Sequence, residues 1–170
     1  MTEFRRAALI PAIALIFSAS PAEAVAYAKV GKPAPNFTLV TFAKQKVTLA
    51  DLRGKVFVIN RWATWCGPCK AEMPMMSTVH ARYKSQGFEI FGVQTQDSLP
   101  DSKLKNLASV LSYPLVKTFK GAAYPVLDGV PTSYVVDRAG IVRYAKAGSF
   151  SDREFLDIVV PLLRQPVPVS

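Results

Sequence analysis

The feature that most constrains this chain is a pair of cysteines, Cys66 and Cys69, placed two residues apart where a strand pattern gives way to a helix pattern. They are the only cysteines in the 170 residues. A disulfide between cysteines this close needs a tight turn, which a strand-to-helix junction provides. Because the helix dipole and the free N–H groups at a helix start stabilise a thiolate, Cys66 is predicted to be the nucleophile. Cys69, one turn further in, is predicted to resolve the mixed disulfide.

Closely spaced cysteines also occur in metal sites and in purely structural bridges, and these alternatives stay open. A zinc site needs two further ligands, but the only histidine, His80, lies about 16 Å further along the predicted helix. We expect His80 to be an ordinary surface residue or a satisfied helix residue. Methionines at 73, 75 and 76 offer soft sulfur for copper(I), although such residues more often fill a core. We therefore predict no resident metal.

Hydrophobic periodicity indicates an α/β chain in which strands and helices alternate. The predicted elements, in chain order, are a hairpin of 37–41 with 47–49, a strand at 55–60, a helix from 66 to 86 ended by Gly87, a strand at 88–94, a helix over 100–111, a hairpin of 132–136 with 141–145, and a helix over 152–163 capped by Ser151. The order strand, helix, strand predicts a parallel pair with a right-handed crossover.

The first 24 residues have the pattern of a secretory signal peptide. Arg5 and Arg6 precede an uncharged run at 7–17, and small residues at 22–24 follow it. The run is shorter than the roughly 20 residues that span a bilayer. We therefore expect a cleaved signal and a periplasmic location, with an uncleaved membrane anchor as the alternative.

The net charge of +9 belongs to the folded domain, because residues 1–24 contain two positive and two negative side chains. The lysines are scattered and an exported protein seldom meets nucleic acid, so we expect no nucleic-acid partner. The charge favours acidic partners or a loose association with anionic lipid. A charged fraction of 19% and ten phenylalanines argue against intrinsic disorder.

The segment Trp65-Cys-Gly-Pro-Cys69 resembles the thioredoxin active-site motif, and Pro74 falls where that family bends its first helix. The resemblance covers 33–163. It implies a thioredoxin-like fold, with a central mixed sheet flanked by helices, an N-terminal β-hairpin and a short central insertion. The expected organisation is a signal peptide (1–24), a linker (25–35), a thioredoxin-like domain (36–163) and a tail (164–170).

Three details are similar to the exported TlpA-like and ResA-like branch, namely the opening at 31–37, Asn60 and Glu72. Residues three apart on a helix share a face, so the Glu72 carboxylate is expected near Cys69. Partial burial would raise the pKa of Glu72 and allow it to take the proton of Cys69. The alternative is a solvated glutamate beside Lys70, and Asn60 in place of the family's usual buried acid favours the first interpretation.

The segment Gly129-Val-Pro131-Thr132 resembles the family's cis-proline loop, which faces the cysteines. The resemblance implies that the Val130 backbone pairs with an extended substrate and that Pro131 discourages metal binding. An ordinary trans proline opening an edge strand is the alternative. Trp65 is expected to shield the disulfide and contact substrate, whereas Trp62 is expected to serve packing.

The sequence departs from the family between 114 and 131. Residues 113–116 are consistent with a strand, but the basic segment 117–125 offers little helix where the family has a helical segment. The segment borders the active site in the family fold, so substrate choice is not predicted from the resemblance.

The residues between the cysteines, Gly67 and Pro68, match thioredoxin, whose potential is about −270 mV, and not the oxidants near −120 mV. We therefore expect a disulfide reductase of restricted substrate range that acts through Cys66 and Cys69. It is expected to be a monomer whose only redox group is this disulfide. The resemblance implies cysteine-containing protein substrates of cytochrome c or copper-site assembly, and a membrane-embedded thiol electron donor. A copper(I) chaperone and a general disulfide oxidant remain the alternatives.

Overall fold

The computed structural model of the chain describes residues 27–95 and 99–168, and the predicted signal peptide lies outside them. The strands are β1 (Thr38–Thr41), β2 (Lys46–Thr48), β3 (Val56–Trp62), β4 (Phe88–Gln94), β5 (Leu115–Lys120), β6 (Thr132–Val136) and β7 (Val142–Ala147). The helices are α1 (Gly67–Tyr83), α2 (Asp101–Val110) and α3 (Asp152–Leu163), with short 3₁₀ turns at Leu49–Leu52 and Lys84–Gln86. Every element predicted from periodicity is present, with ends shifted by a few residues at most.

The strands form one mixed sheet in the order β2-β1-β5-β4-β3-β6-β7. The central strands β3, β4 and β5 are parallel, as the strand-helix-strand order predicts, whereas β1, β2, β6 and β7 join antiparallel. The chain is therefore an α/β protein with a thioredoxin-like mixed sheet flanked by helices, as expected.

The two faces of the sheet are covered differently. Side chains alternate along β3, so Val56 and Val58 pack with all three α-helices, whereas Phe57 and Ile59 face the other way. That second face is covered by the turn at Leu49–Leu52 and by irregular chain. Because β3 is buried on both faces, its sequence is an unbroken apolar run from 56 to 59, which is typical of a central parallel strand.

Helix α1 has clear start and stop signals. Cys66 is its N-cap residue, and Gly87, in the left-handed region at φ +81°, ends the 3₁₀ turn that continues the helix. Pro74 lies inside α1, as the resemblance implied. It has no N–H to donate to the preceding turn of the helix. The predicted helix from 66 to 86 is thus an α-helix with a 3₁₀ end.

The described part of the predicted linker differs from a free tether. The backbone N–H groups of Ala28, Gly31 and Ala34 donate to the carbonyl oxygens of Ala123, Val142 and Gly140, each at 2.8 Å. Ala28 and Ala34 are also buried. Alanine side chains are small enough for an extended segment to pack directly against the sheet. The proline-rich composition indicated a linker, but the described residues of this segment pack against the domain.

Between β4 and β6 the chain forms a helix and a strand, α2 and β5. Strand β5 continues to Lys120 and pairs with β1, from Thr38 opposite Lys120 to Thr41 opposite Val116. The basic residues 117–120 therefore belong to a strand, and lysine side chains on its exposed positions hide the strand pattern. None of the helices in 27–95 and 99–168 is both long and apolar enough to cross a bilayer.

Candidate active site

The two cysteines form a disulfide at the junction of β3 and α1. Their Cα atoms are 5.3 Å apart, and the Cys66 sulfur accepts a hydrogen bond from the backbone N–H of Cys69 at 3.1 Å. Cys66 is 3% exposed and Cys69 1% exposed, whereas the neighbouring Trp65 is 65% exposed. The Cys66 sulfur therefore lies at the N-terminus of α1, close to its free backbone N–H groups and next to the exposed ring of Trp65.

The segment before β6 faces this disulfide. The Val130–Pro131 peptide bond is cis, as the resemblance implied, and the Cys66 sulfur lies 3.5 Å from the carbonyl oxygen of Val130. In the disulfide that sulfur carries no proton, but a Cys66 thiol at this position can donate to the carbonyl. Thr132 stabilises the segment, because its hydroxyl donates to the Gly129 carbonyl and accepts from the Leu127 N–H.

Glu72 lies on α1 three residues after Cys69 and is only 4% exposed. Its carboxylate accepts hydrogen bonds from Asn60 Nδ2 at 2.8 Å and from the backbone N–H of Phe150 at 3.0 Å. Burial raises the pKa of Glu72 above its ordinary value, although the two hydrogen bonds oppose the shift. The alternative of a solvated glutamate is wrong, because the side chain points into the protein.

Two groups in the hydrogen-bond network around Glu72, the Ser133 hydroxyl and the Phe150 N–H, are not indicated by any sequence pattern. Asn60 also donates to the Ser133 hydroxyl at 3.0 Å, since Asn60 and Ser133 are directly opposite each other on β3 and β6. Phe150 contributes only a backbone N–H, from the loop between β7 and α3. The pairing register of Ser133 and the path of that loop are tertiary properties, which local residue patterns do not reveal.

Tyr113 is a further buried group beside the network. Its hydroxyl has no hydrogen-bond partner among the described residues, and burial, followed by the charge of Glu72, raises the pKa of Tyr113 well above its ordinary value. Trp62 is fully buried, as expected for a packing residue. Glu72 therefore sits in largely apolar surroundings, which explains why desolvation dominates its pKa.

The remaining candidates for metal chemistry lie in the core. Met73 and Met76 are buried and Met75 is partly buried against the same cluster, which confirms their interpretation as core residues. His80 is buried as well, with Nδ1 3.1 Å from the Ser112 hydroxyl and Nε2 3.6 Å from Glu89. Within 27–95 and 99–168, no three His, Cys, Asp or Glu side chains are grouped so that they could hold a metal ion.

Comparison with known proteins places this geometry in context. Residues 30–145 match the model of the AhpC/TSA family. A thiol-disulfide oxidoreductase ResA of Bacillus thuringiensis (strain Al Hakam) is 37% identical over 119 residues, 67% of each chain. A second ResA, from B. thuringiensis subsp. konkukian, is 36% identical over 141 residues, 78% of this chain and 80% of that one.

The fold has a solved counterpart of similar size. The crystal structure of a thiol:disulfide interchange protein of the thioredoxin family from Chlorobium tepidum superposes with a TM-score of 0.68 at 32% identity. The likeness covers 81% of this chain and 99% of that one.

Proposed function

Since the chain belongs to the AhpC/TSA family and is a thiol-disulfide oxidoreductase, we propose that it is an exported disulfide reductase with a narrow range of protein substrates. The observation that carries this proposal is the disulfide at the start of α1, with the Cys66 sulfur 3.5 Å from the Val130 carbonyl oxygen. A substrate strand that pairs with the backbone at Val130 brings its own disulfide to Cys66.

The reaction is two successive thiol-disulfide exchanges. In the reduced protein the Cys66 thiolate attacks one sulfur of the substrate disulfide, which breaks that S–S bond and forms a mixed disulfide. The first substrate sulfur leaves as a thiolate and takes a proton. Cys69 then loses its proton and attacks the Cys66 sulfur, so that the second substrate thiolate leaves. Two electrons pass to the substrate, and the Cys66–Cys69 disulfide is the oxidised product.

Glu72 acts in the second exchange as the base that takes the proton of Cys69. A carboxylate with an ordinary pKa is a weak base at neutral pH, and burial raises the pKa of Glu72 towards the range in which it accepts a proton efficiently. Asn60 and Phe150 hold the carboxylate in place through two hydrogen bonds. The developing carboxylic acid then sits in surroundings that favour its neutral form.

Direction and supply follow from the residues around the disulfide. Gly67 and Pro68 are the residues found between the cysteines of reducing thioredoxins, so the proposed potential is near −270 mV. A reductant in an oxidising exported compartment needs a thiol electron donor in the membrane. We assign the substrates to the class of cysteine pairs that must be reduced before haem or copper is inserted, with the chain acting as a monomer and with no cofactor beyond its disulfide.

The decisive experiment is to trap substrates in cells with Cys69→Ala, which cannot resolve the mixed disulfide, and to identify the captured proteins. One or a few captured proteins with paired metal-ligand or haem-ligand cysteines support the proposal, and Cys66→Ala is the control that captures none. Capture of many unrelated secreted proteins overturns the narrow range.

Two further measurements separate the alternatives. Equilibration with glutathione is expected to give a potential near −270 mV, whereas a value well above about −200 mV indicates a general oxidant. The reduced protein is expected to lose copper(I) to a competing chelator. Tight retention of copper(I) by the two thiols indicates a copper chaperone.

A further inference from the structure

The loop between β7 and α3 contacts both the cis-proline segment and the buried carboxylate. The backbone N–H of Gly148 donates to the Pro131 carbonyl oxygen at 2.8 Å, which continues the ladder of β6 with β7 by one pair. Two residues later, the Phe150 N–H donates to the Glu72 carboxylate at 3.0 Å. One short loop therefore holds two parts of the candidate site.

The backbone at Gly148 adopts a conformation that favours glycine. Its φ is +110°, a value that residues with a side chain rarely adopt. A Cβ atom at this position would meet no atom of the described chain within 4 Å, apart from the adjoining residues. The position therefore needs glycine for its backbone conformation and not for space. The chain leaves β7 at this turn and then reaches Glu72 with the N–H of Phe150.

The Phe150 end of the loop is fixed by packing. Phe150 precedes Ser151, the N-cap of α3, and the centre of its ring lies 5.0 Å from that of Phe155, four residues after the cap. This is the arrangement of a hydrophobic staple, which sets the angle at which the chain enters a helix. The Tyr144 ring of β7 also lies 5.0 Å from the Phe150 ring. Two aromatic contacts thus hold the residue whose N–H meets Glu72.

The other end of the loop is linked to Cys66 through Pro131. The residue before this proline is Val130, whose carbonyl oxygen lies 3.5 Å from the Cys66 sulfur. Proline has no N–H, so Pro131 cannot return a hydrogen bond to Gly148. The bond that Gly148 donates is therefore the ladder bond that this pair can form.

We propose that Gly148 is a positioning residue for the second exchange, because its backbone turn keeps the Phe150 N–H on Glu72 while its own N–H holds Pro131. The inference rests on the proposed reductase function, in which Glu72 takes the proton of Cys69. Burial raises the pKa of Glu72, and the Phe150 N–H opposes this shift because it stabilises the charged carboxylate. Without that N–H, a larger fraction of Glu72 is protonated near neutral pH and unable to act as a base.

Two tyrosines from other elements sense the charge of Glu72. Burial, followed by the charge of Glu72, raises the pKa of Tyr113 well above its ordinary value. Burial, then Glu154 and Glu72, raise the pKa of Tyr144 to about 12. Both hydroxyls therefore stay neutral near neutral pH, and cysteines in a disulfide carry no proton. Neither group disturbs the titration of Glu72 in the oxidised protein.

The test follows the carboxyl carbon of Glu72 by NMR while the pH of the oxidised protein is changed, with the signal assigned by its loss in Glu72→Gln. In Gly148→Ala the alanine avoids the positive φ, and the Phe150 N–H is expected to leave the carboxylate. The midpoint of the Glu72 titration should then rise by about one pH unit, because a hydrogen bond to a charged group is worth roughly that shift. In the reduced protein, resolution of the mixed disulfide should slow about tenfold below the wild-type midpoint.

Gly140→Ala is the matched control. Gly140 also has a positive φ, of +76°, and open space where a Cβ would lie, but it belongs to the turn between β6 and β7, at the other end of these strands. Its replacement should leave the Glu72 titration and the resolution rate unchanged. Gly148→Asn should shift the titration less than Gly148→Ala, because asparagine adopts positive φ more readily. Should Gly148→Ala not fold, the shift in Gly148→Asn decides the question.

An unchanged Glu72 titration in the Gly148 variants overturns the inference. So does a resolution rate that falls by the same factor at every pH, because Gly148 would then have only a structural role. The proposed reductase function fails separately, if the wild type reduces no disulfide-linked peptide. The NMR titration would still show in that case whether Gly148 holds the Phe150 N–H on Glu72.

Discussion

Glu72 is deeply buried and lies on α1 three residues after Cys69. Burial raises the pKa of Glu72, and in the proposed mechanism this residue takes the proton of Cys69. In Glu72→Gln the resolving step should slow by about 10²-fold, the lower end of the roughly 10²–10⁴-fold contribution usual for a general base. Rapid quenching of the mixed disulfide across a pH series measures this step.

The pH profile separates a chemical role of Glu72 from a structural one. The wild-type rate should rise as Glu72 loses its proton, and the variant should lack that rise. Glu154→Gln, which changes an exposed glutamate at the start of α3, is the matched control. An unchanged pH profile in Glu72→Gln would sink the assignment.

The same pKa shift should make the stability of the protein depend on pH. The native state holds the Glu72 proton more tightly than the unfolded chain, so this contribution to the free energy of unfolding is complete below the unfolded pKa. It is lost as the pH rises through the raised native pKa. Denaturant unfolding of the oxidised wild type should show this decline relative to Glu72→Gln, which confirms the direction of the shift independently of kinetics.

At the residue scale, the sequence predicts those residues of the site that lie close together along the chain. Cys66, Cys69 and Glu72 follow one another on a helix, so their spacing fixes a common face. The two donors to Glu72, the Asn60 amide and the Phe150 N–H, come from elsewhere in the chain. Only the register of β3 with β6 brings Ser133 opposite Asn60.

At the scale of elements, Arg138 connects three segments of the chain. It lies at the end of the sheet where β3 begins, away from the disulfide. Its guanidinium donates to the carbonyl oxygens of Gly54, Gln86 and Leu163 at 2.7, 2.8 and 3.0 Å. Two of these carbonyls lie at the ends of helical segments, where a cation also complements the helix dipole. Arg138→Met should therefore lower the free energy of unfolding by about 2 kcal/mol.

Urea unfolding checks this value against Arg164→Met, which removes an exposed arginine next to Leu163. The control should change stability little. The reduction potential of the disulfide should be the same in both variants. Arg138 contacts the chain just before β3, whereas the disulfide follows the other end of that strand. A large change of potential in Arg138→Met would contradict this separation of stability from redox chemistry.

The elements that sequence patterns located best are those with an apolar run or a capping residue. Residues 88–94 and the Ser151-capped helix are clear cases. Beyond Val116 the sequence of β5 has no clear strand pattern, because Lys117 and Lys120 are exposed. Pairing with β1 is what makes this segment a strand. Strand formation of this kind depends on a pairing partner far away in sequence.

At the scale of the whole molecule, the chain before β1 closes one side of the sheet. The N–H groups of Ala28, Gly31 and Ala34 donate to the segment after β5, to β7 and to the turn before β7, and the Lys32 carbonyl accepts from the Val142 N–H. A chain that begins at Asn36 should be less stable than one that begins at Tyr27 by about 4 kcal/mol, at roughly 1 kcal/mol for each of the four backbone hydrogen bonds. Denaturant unfolding of the two chains measures the difference.

The matched control is the longer chain with Lys29→Ala and Lys32→Ala, which alters only exposed side chains. Its stability should equal that of the unmodified longer chain. Equal stability of the chains beginning at Tyr27 and Asn36 would mean that these residues are a linker after all.

The division of the sheet into a helical face and an irregular face also affects how such a protein can diverge. The disulfide and Glu72 depend on α1 and the helical face, whereas the segment leading to Val130 belongs to the other face. There the hydroxyl groups of Tyr124 and Tyr134 donate to the carbonyl oxygens of Pro35 and Pro125. With Pro125 held in this way, we expect substitutions at 126–128 to change which partners bind in the proposed function, while the positions of Cys66 and Cys69 are inherited intact.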